Sequence, residues 1–186
     1  MSRIKVIQPE EATGRLKEIY SGLKQQRGQI AEVHKIQSLR PESIVMHMDL
    51  YMEIMFSKSE LSRAQREMMA VVVSVANNCN YCASHHGSAL NQYWKNDIKL
   101  VQLKKDYRET ALDQKDIVLC EFAEELTLRP QNSEEIDPVG ALKGYGFSDP
   151  AILDATLVVS YFNFVNRMVL SLGVELERDE GQNYKY

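Results

Sequence analysis

Two cysteines and two histidines lie within eight positions of the sequence, in the stretch NNCNYCASHH at residues 77–86. If this stretch is helical, Cys79, Cys82 and His86 stand at i, i+3 and i+7 and share one face. Asn78 is a good helix N-cap, which would put both cysteines in the first turn. Backbone N–H groups and the helix dipole stabilise a thiolate there, and such a placement lowers a thiol pKa from ~8.5 to ~3.5–7.5.

This spacing supplies a nucleophile, a base and a second thiol within reach of one another. His86, one turn beyond Cys82, can accept its proton or pair with its thiolate. A sulfenic acid formed on one cysteine can be condensed by the other to a disulfide. The pattern therefore predicts a redox-active pair made by Cys79 and Cys82, with a purely structural buried pair as an alternative.

Zinc binding is a further alternative for the same residues. Structural zinc requires four ligands in a closed tetrahedron, and beyond the two cysteines and His86 the candidates are His85, His34 and His47. Two adjacent histidines on a helix point about 100° apart, so both cannot easily bind one ion. The sequence favours the redox pair, and we expect no metal.

Glu67 is a candidate proton acceptor twelve residues before Cys79. It lies one turn into a helix whose start is indicated by a capping box, Ser62 followed by Gln65. A carboxylate in this apolar run is either exposed or held inward with a raised pKa. Adjacent Arg66 is expected to be exposed, which favours the outward orientation of Glu67 and leaves the inward one open.

The composition restricts the function classes. A chain of 186 residues with 44% hydrophobic and 26% charged residues can bury a real core. A net charge of −4 and the lack of a basic run argue against nucleic-acid binding. We expect no membrane span and no secretory signal, because no 18-residue uncharged apolar run and no apolar leader occur. Three cysteines in such a chain predict a reducing, cytoplasmic setting.

Apolar residues recur at helical spacing, and no segment alternates cleanly with period two, so the predicted fold class is all-α. Gly28 ends the first helix, Pro41 opens another, and Asn77 with Asn78 interrupts a long apolar stretch. The predicted helices fall within residues 10–28, 41–56, 62–76, 79–94, 97–105, 113–128, 134–143 and 149–173, with Gly144 closing the seventh.

We predict a single domain over residues 1–186. Its predicted parts are N-terminal helices (1–57), a helical unit containing the cysteines (58–95), a second helical unit (96–177) and a polar tail (178–186). A shift of 86 positions gives eight identities in thirty, aligning Asn77 with Asn163 and Asn80 with Asn166. This indicates a weak internal two-fold repeat, with chance similarity between two capped apolar helices as the alternative.

The order Glu67, Cys79-x-x-Cys82 and His86 resembles that of the AhpD-like (alkylhydroperoxidase D, carboxymuconolactone decarboxylase) superfamily. The segment LRPESIVMHMDLY at 39–51 resembles the family's helix before the motif. The segment YFNFVNRMVLSLGVELE at 161–177 resembles the C-terminal signature of the family's peroxidase-related branch. The resemblance covers roughly residues 10–177.

The resemblance implies an all-helical fold, a homotrimer or homohexamer, and thiol-dependent, antioxidant reduction of hydroperoxides without haem or flavin. An external protein or small thiol would then restore the dithiol. By position, Cys82 resembles the peroxide-attacking thiol, and Cys79 resembles its resolving partner and proton donor. Glu67 and His86 resemble members of the proton relay.

The sequence departs from AhpD at the residue before the second cysteine, where Tyr81 replaces a histidine. A tyrosine with a pKa of ~10 can donate a hydrogen bond but is a poor base at pH 7. The relay is therefore incomplete or rerouted through His85. There are two alternative functions. One is a lyase of the decarboxylase branch, although that branch lacks the cysteine pair that this chain retains. The other is a non-catalytic zinc-binding or interaction protein.

Overall fold

The computed structural model describes residues 2–131 and 137–177, and these contain α-helices, one 3-10 turn at Tyr107–Glu109 and no strand. The predicted all-α class is confirmed. The helices are α1 (Gly14–Arg27), α2 (Glu32–Lys35), α3 (Pro41–Phe56), α4 (Arg63–Ala76), α5 (Asn80–Trp94), α6 (Asp97–Lys105), α7 (Gln114–Leu128), α8 (Pro138–Gly144) and α9 (Asp149–Leu172).

Local signals in the sequence set most helix ends. The predicted capping box at α4 is present, because the Gln65 N–H donates to Ser62 Oγ at 3.2 Å and the Ser62 N–H donates to Gln65 Oε1 at 2.9 Å. Helix α1 ends at Gly28, whose φ of 82° is open to glycine without strain.

The seventh predicted helix differs from the structure at both ends. Helix α8 begins at Pro138, where the Asp137 carboxylate accepts from the Gly140 N–H at 2.8 Å. Gly144 is the last residue of α8 and does not follow it, and the chain turns at Gly146, with φ of 80°. Residues 134–136 of that prediction and the predicted tail at 178–186 lie outside the described residues.

The chain divides into two compact units, and the division falls within α3 and α9. The first unit comprises the described residues up to 53 and from 167 onward. Its core includes Leu16 and Tyr20 of α1 and Ile44 of α3. The Arg3 N–H donates to the Leu172 oxygen at 2.8 Å, which ties the start of the chain to the end of α9.

The second unit, residues 54–166, contains the cysteine pair. Helix α4 packs against both α5 and α7, and its residues 68–73 are buried on every side. Helix α9 is long and apolar enough to cross a membrane by length and composition alone. Core helices of globular proteins pass the same test, and Ala155, Val158 and Phe162 are fully buried here. The predicted single-domain boundaries and the internal repeat stay predictions.

Candidate thiol site

The junction between α4 and α5 places the two cysteines. The Cys79 N–H donates to the Ser74 oxygen at 2.8 Å, and the Asn78 N–H donates to the Val75 oxygen at 2.9 Å. These two bonds form a Schellman motif, in which the residue just past the helix is left-handed. That residue is Asn78, with φ of 56°.

The predicted N-cap role of Asn78 is wrong. An N-cap needs extended backbone, whereas Asn78 is left-handed, a conformation that asparagine tolerates better than most residues. Cys79 is the N-cap of α5, and Cys82 is the third residue of that helix. Helix α5 therefore begins one residue later than predicted, and each cysteine stands one position nearer the helix start than the predicted cap would place it.

Cys79 and Cys82 are free thiols, buried and hydrogen-bonded to each other. The Cys82 thiol donates to the Cys79 sulfur and lowers the pKa of Cys79; burial opposes this effect, and the Cys82 backbone N–H adds to it. The same contact and burial raise the pKa of Cys82 well above its ordinary value. The pair therefore carries its first negative charge on Cys79.

Glu67 lies inward, fully buried, between an arginine and a histidine. Its Oε1 accepts from Arg63 Nε at 2.9 Å and from a second guanidinium nitrogen of Arg63. Its Oε2 lies 2.7 Å from Nδ1 of His86. Burial raises the pKa of Glu67, but the charges and hydrogen bonds of His86 and Arg63 outweigh burial and lower that pKa overall.

The expectation that Arg66 is exposed, which favoured an outward Glu67, is wrong. The Arg66 guanidinium is buried, where it donates to the backbone oxygens of Ile54 at 3.1 Å and Ser57 at 3.2 Å. Arg63 donates in the same way to the Met55 oxygen at 3.2 Å. The C-terminal carbonyls of α3 lack intrahelical partners, so both arginines fold inward to satisfy them.

His86 is oriented by contacts on two sides. An ionised carboxylate can only accept, so Nδ1 of His86 carries a proton toward Glu67, and Nε2 is the basic nitrogen. The His86 ring also meets the edge of Phe162, with centroids 4.4 Å apart. Glu67 and His86 thus form one pair of the site, and Cys79 with Cys82 forms the other.

Tyr81 and His85 form a buried ring pair one turn apart on α5, with centroids 4.6 Å apart. The groups that shift the pKa of Cys82 are different residues: Cys79 and burial raise it, and a hydrogen bond from Asn166 lowers it. Whether His85 reroutes the proton relay in place of the missing histidine stays a prediction.

Two residues of the site were missed by the sequence analysis. Arg63 stands four residues before Glu67, and this i, i+4 spacing was a readable signal for an ion pair. Asn166, which contacts Cys82, is fully buried on α9. The 86-residue shift that aligns Asn166 with Asn80 singled it out, but gave it no role.

Two other observations bear on the chemistry of the thiols. Among the residues that the structure describes, no group of three or more His, Cys, Asp or Glu side chains could hold a metal ion. Cys120 is fully buried in α7, and burial together with nearby carboxylates raises its pKa far above the ordinary value. Cys120 is therefore an inert core thiol.

The helical fold and the thiol pair at the start of α5 place this protein among helical proteins with a paired-thiol site. Comparisons with known proteins identify the family more closely. Residues 43–93 match the carboxymuconolactone decarboxylase family. No curated protein is similar enough to match. The family match, together with the fold shared with solved structures, supports an AhpD-like (carboxymuconolactone decarboxylase) superfamily assignment.

Several solved structures share the fold. The AhpD-core, uncharacterised peroxidase-related protein of Ralstonia eutropha JMP134 is 22% identical, with a TM-score of 0.85 and coverage of 98% of this chain and 96% of that one. The peroxidase-related protein of Silicibacter sp. TM1040 is 27% identical, with a TM-score of 0.82 and coverage of 98% and 99%. The debrominase Bmp8 is 18% identical, with a TM-score of 0.78 and coverage of 97% and 95%.

Proposed function

We propose that this protein is a thiol-dependent peroxidase that reduces hydroperoxides through a Cys79–Cys82 dithiol/disulfide cycle. The observation that carries the proposal is the hydrogen bond between the two buried thiols at the start of α5. One thiol in such a pair ionises readily because the other donates to it, and the two sulfurs are close enough to react with each other.

The first step oxidises one sulfur. When the pair loses a proton, the charge lies first on Cys79, and the Cys82 proton then passes to Cys79 along their hydrogen bond. The Cys82 thiolate then attacks the terminal oxygen of the hydroperoxide, the O–O bond breaks, and Cys82 becomes a sulfenic acid. The departing alkoxide takes the proton from Cys79 and leaves as an alcohol. In this order of steps, Cys82 is the attacking thiol and Cys79 is the proton donor.

The second step closes the disulfide. The Cys79 thiolate attacks the Cys82 sulfenic sulfur and displaces hydroxide, which leaves as water after taking a proton. In total the dithiol and one hydroperoxide give a disulfide, an alcohol and water. Two equivalents of an external thiol, or one protein dithiol, then reduce the disulfide by thiol–disulfide exchange.

Glu67 and His86 serve as the proton reservoir of the cycle. His86 stands one turn beyond Cys82 on α5, on the same helix face. Because Glu67 fixes the proton on Nδ1, the basic Nε2 is the nitrogen that exchanges protons with the reaction. Arg63 keeps Glu67 ionised and in position.

The proposed cycle uses no organic cofactor and no metal. Its partners are a small hydroperoxide and an external thiol reductant, and we expect a cytoplasmic homotrimer or homohexamer. Nucleic acid and membrane play no part in the cycle.

The proposal is tested by single-turnover reaction of the reduced protein with cumene hydroperoxide, followed by mapping of the oxidised cysteines. We expect a disulfide between Cys79 and Cys82 in the wild type, a trapped sulfenic acid on Cys82 in Cys79→Ser, and little reaction in Cys82→Ser. Cys120→Ala is the matched control and should behave as wild type. If Cys82→Ser reacts as fast as wild type, Cys82 is not the attacking thiol.

Reductive debromination is a second candidate, because the same dithiol chemistry could serve it and a debrominase shares the fold. A thiolate would take the bromine from carbon, a proton would replace it, and the second thiol would displace bromide to form the disulfide. Bromide release from 2,3,4-tribromopyrrole, a compound bound to that debrominase in one crystal structure, measured beside hydroperoxide reduction, separates the two. Lyase activity that survives in the double variant Cys79→Ser/Cys82→Ser would support the lyase alternative. About one zinc per chain in protein purified without chelator would exclude the redox function.

A further inference from the structure

A chain of hydrogen bonds between amide side chains fixes the direction in which Asn166 faces the thiols. It starts at Asn163, whose Nδ2 donates to the backbone oxygen of Val159 at 3.0 Å. A carbonyl oxygen can only accept, so the nitrogen of Asn163 must face it, and the Oδ1 of Asn163 faces Asn77. Asn77 Nδ2 donates to that oxygen at 3.1 Å and to Oδ1 of Asn166 at 3.1 Å.

The oxygen of Asn166 is therefore occupied by Asn77, and its nitrogen points the other way. One N–H of that nitrogen donates to Ser74 Oγ at 3.3 Å. Ser74 can accept because its own hydroxyl donates to the Ala70 oxygen at 2.7 Å. The remaining N–H is directed at the sulfur of Cys82.

The burial of Asn166 strengthens the effect of its N–H on the Cys82 sulfur. Its side chain is fully buried, so water does not compete for the bond to sulfur. Burial alone makes a negative charge on Cys82 costly, and the contact with Asn166 lowers the pKa of that thiol against the opposing effects.

We propose that Asn166 is a catalytic residue whose Nδ2–H stabilises negative charge on the Cys82 sulfur during the dithiol cycle. The inference rests on the proposed function, because Cys82 must carry that charge when it attacks the hydroperoxide. Asn77 and Ser74 are positioning residues, since they hold the amide with its nitrogen toward the sulfur.

The test isolates Cys82 in the background Cys79→Ser/Cys120→Ala, which leaves it as the single cysteine of a chain that has three. The thiolate absorbance is followed against pH, together with the rate of alkylation by iodoacetamide at pH 7. Asn166→Leu keeps the approximate size of the side chain and removes the N–H. We expect the titration midpoint to rise by about one to two pH units and the rate to fall about tenfold or more. Asn166→Asp, which places an acceptor against the sulfur, should raise the midpoint further.

Thr127→Val is the control for a merely structural effect. It removes a buried hydroxyl that accepts from Asn163 at 3.0 Å and leaves the sulfur contact in place. We expect it to lower stability without moving the Cys82 midpoint. An unchanged midpoint in Asn166→Leu would overturn the inference.

A second measurement serves if Asn166→Leu does not fold. In the same background with Asn166 intact, the side-chain 15N and 1H chemical shifts of Asn166 are followed against pH. We expect them to change with the same midpoint as the Cys82 titration. Chemical shifts that do not change at that midpoint would also overturn the inference. Failure of the proposed function is a separate result: the wild type would form no disulfide with hydroperoxide, whatever the titration shows.

Discussion

The buried Glu67 carboxylate gives the sharpest prediction for a single substitution. Glu67→Gln keeps the shape of the side chain and removes its charge, which leaves the Arg63 side chain, only 12% exposed, without a counter-ion. Breaking a buried ion pair in this way costs roughly 3–5 kcal/mol of unfolding free energy. The pair Arg129–Glu125 has the same i, i+4 class of spacing but lies at the surface, with Arg129 60% exposed.

Glu125→Gln is therefore a matched control, and we expect it to cost less than about 1 kcal/mol. Urea unfolding of both variants at pH 7 measures the difference. The lowered pKa of Glu67 means that its contribution is present above the ordinary value of 4.5 and disappears as pH falls through the lower folded value. The gap between wild type and Glu67→Gln should then narrow in acid. Equal costs for the two variants would refute the burial argument.

Glu67→Gln should also impair the chemistry. Arg63 only donates, so the oxygen of the new amide must face Arg63, and its NH₂ must face Nδ1 of His86. Nδ1 then becomes an acceptor, and the proton moves to Nε2, which removes the basic nitrogen. We expect the rate of thiol oxidation by hydroperoxide to fall roughly 10²-fold or more. A wild-type rate in a folded Glu67→Gln protein would exclude the proton-reservoir role.

Further predictions concern stability and thiol reactivity. Burial lowers the pKa of His47 from 6.5 to about 4, so the folded state disfavours its protonation and stability should decline as pH falls from 6.5 to 4. The full loss, about 3 kcal/mol at about 1.36 kcal/mol per pH unit, should be absent in His47→Gln by urea unfolding. At the left-handed Asn78, Asn78→Gly should be tolerated, whereas Asn78→Val should cost about 1–2 kcal/mol by the same method. Cys120 should resist iodoacetamide in the native protein and react only after unfolding, as peptide mapping would show.

Local signals explain why much of the fold could be predicted from the sequence. The capping box at Ser62, the proline at 41 and the glycine at 28 act within one turn of the helix end that each sets. The predicted bounds of α3 and α6 match the structure for the same reason. At Asn78 the local signal was ambiguous, because asparagine is favoured both as an N-cap and in the left-handed residue after a helix.

The orientation of the site residues could not be predicted in this way. Glu67 lies inward because Arg63 and Arg66 are drawn to the backbone oxygens at the end of α3, a contact between helices that no periodicity encodes. Asn166 reaches Cys82 from α9, far along the chain. The cysteine pair itself was readable, since its chemistry depends on spacing within one helix.

The central claim is that Cys79 and Cys82 act together as a two-electron reductant. The most direct test adds one equivalent of cumene hydroperoxide to the reduced wild-type protein and measures free thiols and intact mass. We predict the loss of two of the three thiols, a mass decrease of two hydrogens, full recovery with dithiothreitol, and Cys120 as the remaining thiol. Retention of all three thiols, or oxidation that does not join Cys79 to Cys82, would contradict the account.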